Sequence, residues 1–194
     1  MKPLFMLLLT YLLCWQVSLG QQNSYTGNGQ VTFSAGAPLD LIKGTSTAIT
    51  GSINQVTGKV YFEIPVKSFQ FANSLMEERF NNKYMKTDRH PKATFIGEVT
   101  SFSQNSKEVT AHGILSIHGV SKRRSIKGTL VKEGGKFILK SGFVVSTKDH
   151  HIESPKLTGG FMAEHINVNL HLQLIPENVT PQVATVYPAK KGLK

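Results

Sequence analysis

Hydrophobic and polar residues alternate along most of this chain. The pattern is cleanest over residues 163–175, where Ile166, Val168, Leu170, Leu172 and Leu174 interleave with Asn167, Asn169, His171 and Gln173. A period of two sends alternate side chains to opposite faces of a strand, so one face is buried and the other wet. The same reading predicts strands over 31–34, 39–42, 44–53, 59–66, 93–102, 108–118, 121–132 and 136–146. Residues 21–30, rich in Gly and Asn, read as a lead-in or a frayed first strand. Val60, Phe62, Ile64 and Val66 share one face, and Pro65, which cannot donate to a ladder, belongs at an edge or bulge. Short connections make the strands antiparallel, which leaves a sandwich or a closed barrel. Gly97, Gly113 and Gly128 fall mid-strand on the parity of Phe95, Leu115 and Ile126. Interior glycines in successive strands mark the bends that closure needs, and so favour a barrel of about eight strands.

The alternation breaks once, between Phe71 and Val99. Asn73 or Ser74 can cap a helix there, and Ser74 with Glu77 has the spacing of a capping box. Leu75, Met76, Phe80 and Tyr84 recur at helical intervals and mark one apolar face. The stretch from Lys86 to Pro91 ends the helix, since the residue before a proline is pushed out of the α region. A short helix of Met and aromatic residues set between strands is either a plug in a filled core or a lid over a pocket.

The ends of the chain differ from its middle. Lys2, an apolar run from Leu4 to Trp15 broken only by Thr10, and Ser18-Leu19-Gly20 make residues 1–20 a secretory signal peptide. The expected organisation is a leader over 1–20, a barrel domain over 21–176 and a mobile basic tail over 177–194. Export places the protein in the periplasm or outside the cell. The one cysteine, Cys14, lies in the leader, so the barrel is expected to stand on its core and ladders without disulfides. A net charge of +10, one unit of it from Lys2, admits anionic lipid surfaces, polysaccharides or nucleic acid as partners without choosing among them.

Candidate chemistry is sparse. His112 and His118, like His165 and His171, are six residues apart, about 20 Å along a strand. His150 and His151 point to opposite faces of an extended chain. Solvated strand-face histidines are therefore expected, and no metal site. No Gly-x-Ser-x-Gly elbow, Walker loop or dinucleotide fingerprint occurs, so neither a catalytic residue nor a cofactor is assigned. Lys122-Arg123-Arg124 reads as the solvated start of a strand after a turn, and without interleaved aromatics it gives no reason to expect nucleic acid. What remains is apolar: eleven Phe, five Tyr and five Met.

Two segments carry a family resemblance. Leu75-Met76-Glu77-Glu78-Arg79-Phe80, running through Tyr84-Met85 to His90-Pro91-Lys92-Ala93-Thr94-Phe95, resembles the helix-to-strand signature of the YceI-like, polyisoprenoid-binding family. Gly113-Ile114-Leu115-Ser116-Ile117-His118-Gly119-Val120-Ser121-Lys122 resembles its second signature, a strand ending in a histidine-glycine turn. With the strand order, the resemblance spans residues 31–175. It implies an all-β, lipocalin-like antiparallel barrel with one short helical insertion, and an interior that takes an isoprenoid or quinone-type lipid without catalysis. The residues expected to line the cavity and its lid are Phe33, Phe62, Ile64, Leu75, Met76, Phe80, Phe95, Leu115, Ile117, Phe143, Leu170 and Leu172. A second reading, a filled barrel serving as an envelope adhesion or polyanion-binding module, stands beside it on the strength of the charge.

Overall fold

Strand β1 (Ser24–Ala35) is bonded along both of its edges. On one side it pairs with β2 (Ile42–Asn54), from Ser24 opposite Asn54 to Ala35 opposite Ile42. On the other it pairs with β9 (His165–Pro176), from Tyr25 opposite Pro176 to Ala35 opposite Ile166. Between them run β3 (Lys59–Pro65), β4 (Gln70–Phe71), β5 (Lys92–Thr100), β6 (Glu108–Ile117), β7 (Val120–Glu133) and β8 (Lys136–Ser146). The ladders follow the circuit β1-β9-β8-β7-β6-β5-β3-β2 and return to β1, with the short β4 added to β2. All the pairings are antiparallel, and eight strands close into the barrel that the alternation predicted. This computed structural model describes residues 23–35, 42–100, 107–153 and 164–177. The leader, residues 39–41 of the predicted second strand, the ends of the predicted strands at 101–102 and 163, and the basic tail beyond Glu177 lie outside the described residues.

The stretch expected as a lead-in or a frayed first strand is, from Ser24 on, the first half of β1. Gly27 and Gly29 lie so close to β9 that a Cβ on either would run into the carbonyl oxygen of Gln173 or His171. Their lack of a side chain, which weakens strand propensity, here permits the approach. A second contact of this kind joins β5 to β6, where Gly97 stands opposite Gly113. A Cβ on Gly97 would lie 2.5 Å from the His112 carbonyl oxygen and 2.9 Å from Gly113 Cα.

One barrel end is packed shut. Tyr25 and Phe137 meet edge to face at 4.5 Å between ring centroids, and the Lys132 ammonium lies 5.5 and 5.4 Å from those rings. At the opposite end, His118-Gly119 joins β6 to β7 with φ of +53° and +74°, the left-handed pair of a two-residue hairpin turn. There the His118 ring stands edge-on to His90 at 4.5 Å. His118 Nδ1 donates to the His150 carbonyl at 3.2 Å, and His150 Nδ1 to the Val120 carbonyl at 3.1 Å. Solvated strand faces describe His112, His165 and His171, which are exposed. They do not describe His150, which is 2% exposed, or His118, whose Nε2 is buried without a partner. Two turns distant in sequence fold onto each other here, which spacing along one strand does not reveal. No group of three metal-ligating side chains occurs among the described residues.

Two predictions follow from this packing. Gly97→Ala should lower stability by about 2 kcal/mol, the usual scale of an overpacked contact, read as a lower urea midpoint at unchanged slope. The second concerns pH. Burial first, then His118, Arg89 and Lys86, hold His90 below its ordinary 6.5. Burial also lowers His150, with Arg124 adding to the effect; the Val120 and Ile117 carbonyls and Asp149 oppose it. A depressed histidine stays neutral in the folded chain while the unfolded chain takes up a proton. Stability should therefore fall as pH drops below about 6.5 toward the folded values. The urea midpoint should be lower at pH 5 than at pH 7.5, and His90→Asn should flatten that difference.

Candidate ligand cavity

Inward-facing residues of all eight barrel strands surround a cavity of about 230 Å³. Alternation supplies the wall: Val60, Phe62 and Ile64 from β3, Phe95 and Val99 from β5, Leu115 and Ile117 from β6, and Ile166, Val168 and Leu170 from β9 all border it. Ala93 and Ala111 border it as well, and their short side chains leave room where a longer residue would fill it. Tyr25 and Phe137 are buried in the core and do not border this space.

The cavity is roofed by the segment where alternation breaks. A single turn of 3-10 helix (Val66–Ser68) leads through β4 to α1 (Ser74–Arg79), which passes into a π-helical turn (Phe80–Tyr84). Asn73 is the cap: its side-chain oxygen accepts the Met76 N–H at 3.2 Å. Ser74 is already the first helical residue, so the box expected between Ser74 and Glu77 does not form. Glu77 instead accepts the Phe71 N–H at 3.2 Å and ties the helix back to β4. Met85 N–H donates to the Phe80 carbonyl at 2.8 Å, five residues back, which makes the turn wider than an α turn.

This geometry drops Phe80 into a nest of rings. It stacks on Phe33 at 5.4 Å and meets Phe71 at 4.9 Å and Phe69 at 5.8 Å. Phe80 is 9% exposed and also borders the cavity. The plug and the lid posed as alternatives by the sequence are here one residue, packed on one side and facing the void on the other.

Of the residues chosen from sequence, Phe33, Phe62, Ile64, Met76, Phe80, Phe95, Leu115, Ile117, Phe143 and Leu170 are brought together around the cavity. Leu75 and Leu172 are not. Leu75 is 50% exposed, because neighbours on a helix point about 100° apart and Met76 and Phe80 already occupy the inward stripe. Leu172 is fully buried, sunk into space left by Gly51 on β2, and so contributes to the core behind the wall. The structure adds Val66, Phe69, Phe71 and Met85 to the roof. The alternation Phe69-Gln70-Phe71 was a legible signal for two of these; nothing local marked Met85, which the π turn carries inward.

Polar groups near the wall are committed elsewhere. The Glu63 carboxylate accepts from Lys92 Nζ at 2.8 Å and from the Tyr61 hydroxyl at 2.6 Å, and these donors hold it below the usual carboxylate range. Thr147 Oγ1 donates to the Glu164 carbonyl at 3.2 Å, and Ser141 Oγ to the Lys127 carbonyl at 2.6 Å. What the wall offers a guest is hydrocarbon and aromatic surface, with binding strength in proportion to the apolar area covered.

The YceI-like domain model matches residues 25–174. None of the curated proteins compared matches the chain in sequence. Among solved structures, the chain is similar to BcnA of Burkholderia cenocepacia, with a TM-score of 0.65 and 14% identity over 75% of this chain and 95% of that one. A polyisoprenoid binding domain from Saccharophagus degradans, implicated in plant cell wall breakdown, gives a TM-score of 0.59 and 13% identity over 80% and 99%. The YCEI protein of Campylobacter jejuni gives 0.51 and 16% over 62% and 75%. At such identities the likeness is one of fold, and the three share the barrel described above. The match of the domain model over most of the chain makes the protein a member of the YceI-like family.

Proposed function

We propose that this protein is an exported, non-catalytic carrier that holds part of the apolar chain of an isoprenoid or quinone-type lipid inside its barrel. The observation that carries the reading is the cavity, walled by aliphatic and aromatic side chains and roofed by the Phe33–Phe80 stack. Each methylene moved from water into such a space contributes about 0.8 kcal/mol, so a few isoprene units bind without a strong polar contact. The Saccharophagus degradans domain, a polyisoprenoid binder of the same fold, supports the choice of lipid. The leader over 1–20 supports export. The filled-barrel reading, an adhesion or polyanion-binding module, requires an interior without such space.

Solanesol, a long polyprenol, should bind the delipidated protein, measured by quenching of its tyrosines or by co-elution. Absence of binding would sink the proposal. Ala111→Phe, which fills the cavity from β6, should weaken solanesol binding by about tenfold or more, the effect of losing roughly 1.4 kcal/mol of contact, while leaving the thermal midpoint nearly unchanged. Phe80→Ala should instead lower both. It should cost about 3 kcal/mol of stability, the low end for a buried Phe because one side of the ring already faces the void.

A further inference from the structure

The ladder between β7 and β8 stops halfway. It runs from Glu133 opposite Lys136 to Gly128 opposite Ser141 and goes no further. Above that point β7 continues to Val120 bonded only to β6, and β8 continues to Ser146 bonded only to β9. The unpaired run of β7 from Ser121 to Lys127 is roughly 20 Å long at strand rise. The β2–β3 ladder also ends early, above Thr50 opposite Glu63, but β4 and the helical segment cover that gap. Among the described residues, side-chain bonds cross the β7–β8 seam at its foot, from Ser141 Oγ to the Lys127 carbonyl, and across its middle, from Arg124 Nη2 to the Val144 carbonyl at 2.5 Å. His150 on the Val120 carbonyl closes its top. Ile126, Gly128, Ser141 and Phe143, which flank the seam, border the cavity.

The outer surface around the seam is distinctive in composition. Ile96 and Ile114 stand opposite each other on β5 and β6, 57% and 46% exposed, and Arg123 stands opposite Ile114 on β7. Val144, 43% exposed, lies across the seam on β8. Arg123, Lys127 and Lys140 are exposed around them, and none forms an ion pair among the described residues. From Val109 to Ile117, from Val120 to Lys132 and from Lys136 to Lys148 the sequence contains no acidic residue. Acids stand at the margins: Glu98 on β5, Glu63 paired with Lys92 on β3, Glu108 and Glu133 at the far strand ends, and Asp149 and the Lys148-paired Glu164 beyond β8. Large apolar side chains among uncompensated cations match an anionic lipid surface, where the chains enter the interface and the cations meet headgroups.

We infer that this face docks on anionic bilayers and that the cavity exchanges its lipid sideways through the β7–β8 seam, with Arg124 as the latch. The inference rests on the proposed lipid-binding function. Opening requires these three side-chain bonds to let go, since no backbone ladder has to break there. Both barrel ends, by contrast, are held by packed rings.

The test uses ubiquinone-10 and vesicles of phosphatidylcholine with or without about 30% phosphatidylglycerol. The protein should bind the anionic vesicles at least about tenfold better, with the advantage lost in high salt. Arg123→Glu with Lys140→Glu should abolish the preference while leaving uptake of ubiquinone-10 from detergent unchanged. In a Cys14→Ser background, Ser125→Cys and Val144→Cys bridged by a short bis-maleimide should keep vesicle binding but slow transfer from vesicle to cavity by about tenfold or more. Vesicle binding indifferent to the charge reversal, or transfer at full speed in the bridged protein, would overturn the inference and leave the lipid-binding reading intact. Failure to take up ubiquinone-10 even from detergent would overturn both.

Discussion

Closure of the sheet through β1 is the constraint on which the rest depends. Because β1 is bonded along both edges, an eight-stranded sheet has no long free edge, and one face of every strand must look inward. The interior is then filled or left open according to the sizes of the residues on that parity. Phenylalanines and leucines fill much of that face, while Ala93, Ala111 and Gly128 leave room between them. The cavity is thus a consequence of how large and small residues are distributed along an alternation that also builds the walls.

The one interruption of that closure follows from the same arithmetic. Val120 to Lys127 pairs only with β6, so the β7–β8 seam is the part of the wall held by side chains instead of backbone. Side-chain bonds reaching across partly exposed ground are weaker and more readily exchanged with water than a continuous ladder.

Much of this was legible in the sequence and some of it was not, for identifiable reasons. Strand β8 (Lys136–Ser146) and the inward face of β9 follow directly from period two, which is a strictly local property. The break at residue 73 likewise announced the helical roof, with Asn73 as one of two candidate caps. What failed to show were features set by partners far along the chain. Gly27 and Gly29 leave a lead-in and a frayed strand undecided until β9 is laid beside them, and His118 and His150 look solvated until two turns meet. Leu75 and Leu172 were chosen for apolarity, but lining a void depends on which direction is already occupied. The basic run Lys122-Arg123-Arg124 read correctly as the start of a strand, yet nothing local told that Arg124 would span an open seam.

The account makes the cavity the functional centre of the molecule, and the most direct test is to ask what occupies it in nature. Native mass spectrometry of the protein purified from its own host, without detergent, reads this in one spectrum. The account predicts a folded monomer mass raised by one apolar ligand, lost on collisional activation and absent from the Ala111→Phe variant. A ligand-free mass, with an equally stable protein that binds polyanions in a salt-sensitive way, would contradict it.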